Sequence, residues 1–82
     1  MSAFRVEVRV MPRATLLDPQ GQAVEQSLRK LGFAVGHARV GRVVDVDVEA
    51  SSTDEARERV EEMCRQLLAN PLIESYEVEV HG

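Results

Sequence analysis

Few side chains in this 82-residue chain combine type and spacing in a way that chemistry requires. Histidine occurs only at His37 and His81, and neither stands in a cluster of carboxylates or thiols that would make a zinc site. Cys64 falls on an apolar helical stripe, where a thiol packs and nothing local lowers its pKa. As the single cysteine it also excludes an intrachain disulfide. Asp45, Asp47 and Glu49 alternate, so on a strand they point one way, as ligands of a divalent cation would. With Arg5 and Arg9 available, a solvated or ion-paired strand face is the better reading. Asp18-Pro19-Gln20-Gly21 reads as a helix start, where free amides attract anions; Gly21 permits close approach and Arg13 adds charge. The carboxylate of Asp18 opposes an anion there, and an N-cap role already accounts for it. No nucleophile–base pair, glycine-rich phosphate loop or metal cluster emerges. The residues alone therefore describe a domain that is not an enzyme by itself.

The elements that would carry these residues follow from periodicity. Residues 3–10 alternate, with Phe4, Val6, Val8 and Val10 on one face and Arg5, Glu7 and Arg9 on the other, which predicts a half-buried strand ended by Met11-Pro12. A loop over 13–17 leads to Asp18 as N-cap and Pro19 as first helical residue. That helix runs to about Leu31, with Val24, Leu28 and Leu31 on its apolar side, and Gly32 suits a left-handed ending that folds Phe33 back on Leu28. Residues 33–40 give a weaker strand, interrupted by Gly36, which turns at Gly41 into a strong one with Val44, Val46 and Val48 facing inward. Ser52 and Glu55 form a capping box for a second helix. Its stripe is Ala56, Val60, Met63, Cys64, Leu67 and Leu68, with Glu55/Arg59 and Glu61/Arg65 as exposed pairs. Asn70-Pro71 stops this helix, because proline disfavours the helical region at the residue before it and lacks an amide. Residues 73–80 resume as an alternating strand.

The order strand, helix, strand, strand, helix, strand, joined by right-handed crossovers, predicts a ferredoxin-like α+β sandwich with an antiparallel-rich sheet. The expected strand order is 4-1-3-2, with both helices on one face. Arg5 and Arg9 would then lie between Asp45, Asp47 and Glu49 on one side and Glu77 and Glu79 on the other. One sheet face stays bare of helices, and the chain becomes a candidate for pairing with a copy of itself, including by strand exchange.

Size and composition agree with one small domain spanning residues 1–82. A core this small is marginal, and oligomerisation is a common remedy. The net charge of −4, without a basic stripe, excludes a typical nucleic-acid binder. No apolar run is long enough to cross a bilayer and no signal-peptide core is present, which leads to the expectation of a cytoplasmic protein.

Certain stretches go beyond what packing asks for. They are Leu16-Leu17-Asp18-Pro19-Gln20-Gly21, Leu31-Gly32-Phe33, Arg39-Val40-Gly41-Arg42, Glu62-Met63-Cys64 and Leu67-Leu68-Ala69-Asn70-Pro71-Leu72-Ile73-Glu74-Ser75-Tyr76-Glu77-Val78. In this order and spacing the chain resembles the PurS family, the small subunits of glutamine-dependent phosphoribosylformylglycinamidine (FGAM) synthase. It departs at Arg13-Ala14-Thr15, where the family more often has a lysine followed by a small residue, and at Arg42, where a lysine is common. The resemblance implies a place in de novo purine biosynthesis. Formylglycinamide ribonucleotide, ATP and glutamine become FGAM, ADP, phosphate and glutamate. A synthetase subunit, PurL, would carry ATP and Mg²⁺, and a glutaminase subunit, PurQ, would release ammonia. The PurS-like chain would bind no cofactor or metal, carry no catalytic residue, form a dimer or tetramer, join the two larger subunits and support ammonia transfer.

The distinctive residues outside the predicted core make residues 13–21 and 70–76 the expected contact segments. The candidates for partner contact are Arg13, Asp18, Gln20, Gly21, Asn70, Pro71 and Tyr76. An ACT-like regulatory domain that binds a small metabolite has the same element order, but Met11-Pro12-Arg13 stands where that family has a glycine-rich turn. An acylphosphatase-like enzyme would need glycines in the Arg13 loop and an asparagine in the hairpin, and an RNA-recognition domain would need aromatics on the open sheet face; neither requirement is met.

Overall fold

The computed structural model describes residues 2–81. In chain order they form β1 (Ser2–Pro12), α1 (Pro19–Lys30), β2 (Arg42–Ala50), α2 (Thr53–Met63) and β3 (Glu74–His81), and a π turn, Cys64–Leu68, extends α2. The sheet is antiparallel throughout, in the order β2-β1-β3. The α+β, ferredoxin-like reading holds, with the first strand in the centre.

Alternation decides which way each strand faces. Val6, Val8 and Val10 of β1 are fully buried beneath α2, and their partners in the neighbouring strands are Val46, Val44 and Arg42 on one side and Val80, Val78 and Tyr76 on the other. From α2, Ala56, Val60 and Cys64 complete the packing, together with Val48, Ala50 and Ala69. Arg57 of α2 donates to the carbonyl of Val78 at 2.8 Å, which ties the helix to an edge strand. On the opposite face the register sets Arg5 opposite Asp47 and Arg9 opposite Glu77, as the strand order predicted. Arg9 lies 3.3 Å from Glu77, 3.6 Å from Glu79 and 3.8 Å from Glu7. Across the middle of this face Asp45, Glu7 and Glu79 stand directly opposite one another. Like charges in such a row are destabilising, which Arg9 partly offsets.

Three expectations need correction. Residues 33–40 carry no regular secondary structure, so among the described residues the sheet has three strands and not the four of the order 4-1-3-2. Arg29 takes the carbonyls of Val35 and Gly36, at 3.2 and 2.8 Å, and holds this segment beside α1 instead of the sheet. Nor do both helices cover one face. Only Gly21 of α1 is buried, and Leu31 and Phe33 are 74% and 59% exposed, so α1 projects from the body as an arm. The Gly32 ending itself forms as expected, with φ at +97° and the Phe33 amide bonded to the Leu28 carbonyl. Finally, Leu67 does not join the stripe of α2. The wider π turn changes the angle between successive residues, leaving Leu67 83% exposed and pairing Arg65 with Glu62 in place of Glu61.

Candidate docking site

Two segments far apart in sequence meet where β1 ends and β3 begins. The Arg13 amide donates to the Ile73 carbonyl at 2.9 Å, and the Arg13 guanidinium donates twice to the Pro71 carbonyl, at 3.2 and 2.5 Å. The 13–18 loop is thereby laid against the 70–73 turn. Between them runs an apolar groove of about 460 Å³, lined by Pro12, Leu16, Leu17, Asp18, Pro19, Gln20, Ile73 and Glu74. Its apolar side chains are largely in solvent: Leu17 is 73% exposed, and Leu16 and Ile73 are also exposed. Leu72, at the tip of the turn, is 83% exposed.

The turn is built from its own sequence. Pro71 has no amide to continue a helix. Asn70 then closes the turn with its backbone carbonyl, which accepts from Ile73 and Glu74 at 3.1 and 2.7 Å, while its side-chain oxygen accepts from the Leu72 amide at 3.1 Å. Glu74 returns a carboxylate oxygen to the Asn70 amide at 2.7 Å. The same carboxylate is held by Arg42 at 2.7 and 3.1 Å, and Arg42 also donates to the Leu68 carbonyl at 2.6 Å. Arg42 holds the Glu74 carboxyl below its ordinary range, with the Asn70 amide adding to the effect.

On the other wall, Asp18 flanks the helix start. Its carboxylate accepts from the Val40 amide at 2.9 Å and makes no cap bond to α1. The Val40 amide is the main reason its carboxyl titrates below the usual range; the nearby Gly21 amide also lowers it, though outside bonding geometry. The expected N-cap position is therefore right, but the side chain turns to residues 38–41 and fastens them to the root of α1. Arg39 in turn donates to the carbonyl of Pro12.

The sequence candidates divide accordingly. Arg13, Asp18, Gln20, Asn70 and Pro71 come together at the groove and its rim. Gly21 is buried, and a Cβ there would collide with the Ala38 carbonyl and Asp18, so close packing requires this glycine. Tyr76 is half-buried on the α2 side of β3 and lines a different groove of about 470 Å³ with Arg9, Met11, Arg42 and Val43. Of the other groups, Cys64 is fully buried, and burial, followed by the Glu61 carboxylate, pushes its thiol up. His37 lies 3.8 Å from Glu25 on the surface of the arm, a pairing that 12 residues of separation hid. Among the described residues no three His, Cys, Asp or Glu are placed to hold a metal ion, and no helix is long and apolar enough to cross a membrane. The exposed Leu16, Leu17, Leu72 and Ile73, together with Arg42 and Glu74, lie in stretches that the sequence set apart but were not among its candidates for partner contact. The available signal was apolar pairs lying beside prolines and off every periodic stripe.

Residues 5–82 match the family model of PurS, phosphoribosylformylglycinamidine (FGAM) synthase. The PurS subunit of phosphoribosylformylglycinamidine synthase from Thermotoga maritima is 37% identical over 95% of this chain and 96% of its own length. The corresponding Bacillus subtilis subunit is 38% identical over 94% of this chain and 92% of its own. Among solved structures, a chain of Thermotoga maritima PurLQS superposes with a TM-score of 0.90 at 35% identity, covering 99% of this chain and all of that one.

Proposed function

The chain belongs to the PurS family, and we propose that it is the small subunit of its own FGAM synthase, joining a PurL synthetase to a PurQ glutaminase in purine biosynthesis. It works as a single domain in the cytoplasm and contributes no catalytic residue. ATP and Mg²⁺ belong to the synthetase. Ammonia released from glutamine is lost to protonation and diffusion unless the two active sites are held together and closed to solvent. A rigid docking subunit meets that need.

The observation that carries this reading is the meeting of the two most distinctive sequence segments in one exposed apolar groove. Core packing gives no reason for Leu16, Leu17, Leu72 and Ile73 to be apolar, whereas contact with another protein does. A second copy of the chain provides a further contact. The arm of α1 leaves Val24, Leu31 and Phe33 exposed, an apolar surface that another copy can cover.

Reconstitution tests the role. The purified chain is mixed with the matching PurL and PurQ subunits, and FGAM formation is followed with glutamine or with ammonium as nitrogen source. The expected result is that glutamine-dependent activity requires the chain and ammonium-dependent activity requires it less. Equal activity with and without it, from both nitrogen sources, would overturn the assignment.

A further inference from the structure

Resting on the docking role above, we infer that the 70–73 turn is a preformed apolar plug, that its receptor is an uncharged apolar hollow on one of the larger subunits, and that Arg42 is the positioning residue that keeps the plug in shape. The turn is over-determined for a surface loop. Asn70, Glu74 and Arg42 connect it into one network that also reaches the Leu68 carbonyl, and Arg13 grips Pro71 from the opposite side. What this network displays is Leu72, 83% exposed, beside Ile73. Fixing a loop before binding removes the ordering cost that weakens flexible contacts, so rigidity and exposed apolar surface together mark a contact surface.

Charge identifies the receptor. The charges bordering the plug balance: Arg42 is paired with Glu74, while Arg13, bonded to the Pro71 carbonyl, and Asp18, bonded to the Val40 amide, keep one charge of each sign. The acidic excess lies elsewhere, on the open sheet face with Glu7, Asp45, Asp47, Glu49, Glu77 and Glu79 around Arg5 and Arg9. A receptor of one charge sign would gain no net attraction from this balanced border, whereas an apolar hollow would cover Leu72 and Ile73. A second copy is a poorer fit, because the exposed stripe that suits self-association ends at Leu31 and Phe33. They lie at the far end of α1, about 18 Å of helix from Pro19.

The test measures binding of the fluorescently labelled chain to the PurL and PurQ subunits, with a circular-dichroism melt and the oligomeric state of each free variant as controls. Leu72→Asp is expected to weaken binding by at least about tenfold without changing the melt or the oligomer. Arg42→Ala is expected to weaken it comparably, and Arg42→Lys, which keeps a charge for Glu74, to recover most of the loss. Raising salt from about 50 to about 500 mM is expected to change wild-type binding by less than about threefold, since no ion pair crosses the contact. Wild-type binding by Leu72→Asp overturns the plug, and so does a loss of oligomer in that variant. Equal weakening by Arg42→Lys and Arg42→Ala, or loss in proportion to a lowered melt, overturns the positioning role of Arg42. A steep salt dependence overturns the uncharged receptor. In each case the docking role survives if the wild-type chain still supports glutamine-dependent activity; failure of that activity removes the docking role itself.

Discussion

Asp18 shows how much one side chain can organise here. Its carboxylate joins the Val40 amide to the start of α1, beside a glycine that cannot be replaced without a clash against the Ala38 carbonyl. Because the folded carboxyl titrates below its ordinary value, the unfolded chain binds the proton more readily. The stabilising effect is therefore complete above the unfolded pKa of about 4 and is lost as pH falls through the lower folded value. Asp18→Asn keeps an acceptor oxygen and removes the charge. Its unfolding free energy is expected to depend less on pH below about 4 than that of the wild type, in urea titrations across that range. Identical pH profiles for the two proteins would refute the assignment. Part of this was legible beforehand: Asp18 before Pro19 marks a helix start, but its partner 22 residues away is a product of the fold.

At the scale of elements, α2 carries the core. Ser52 accepts from the Glu55 amide at 3.1 Å, and Glu55 reaches back to the Ser51 hydroxyl at 2.7 Å. The capping box is thus real, displaced by one residue on its return side. Glu55 also meets Arg59 at 2.9 Å. Ser52→Ala is expected to cost about 1 kcal/mol, read as a lower urea midpoint with an unchanged slope. A midpoint equal to wild type would mean that packing of Ala56, Val60 and Cys64 alone holds the helix. Local signals identified this element from cap to stop, because they act within a turn or two. They did not reveal its last turn. The switch from α to π geometry at Cys64–Leu68 lets Ala69 be buried and Arg42 close on the Leu68 carbonyl, both of which depend on elements elsewhere in the chain.

For the molecule as a whole, shape is the informative quantity. The radius of gyration is 16.1 Å and the long axis 52 Å, whereas a compact chain of this length has a radius near 12 Å. The arm of α1 accounts for the difference, and its exposed apolar residues are what a second copy would cover. Phe33→Glu is accordingly expected to convert the oligomer to monomer in light scattering coupled to gel filtration, and to remove any concentration dependence of the melting temperature. An unchanged oligomer would place the self-contact elsewhere.

Read without a structure, the chain determined its class, its central strand, its capped second helix, its charged open sheet face and its family resemblance. Each rests on periodicity, capping or motif spacing, which nearby residues specify. Tertiary structure alone decided that residues 33–40 form no strand, because a segment becomes a strand only when another backbone pairs with it, and here Arg29 and Asp18 take its polar groups instead. It also decided the candidate docking groove. Arg42 and Glu74 are 32 residues apart, and Arg13 and Pro71 are 58 apart. No local rule couples residues at such distances; β1 does, by pairing with both β2 and β3 and so bringing the ends of all three strands together.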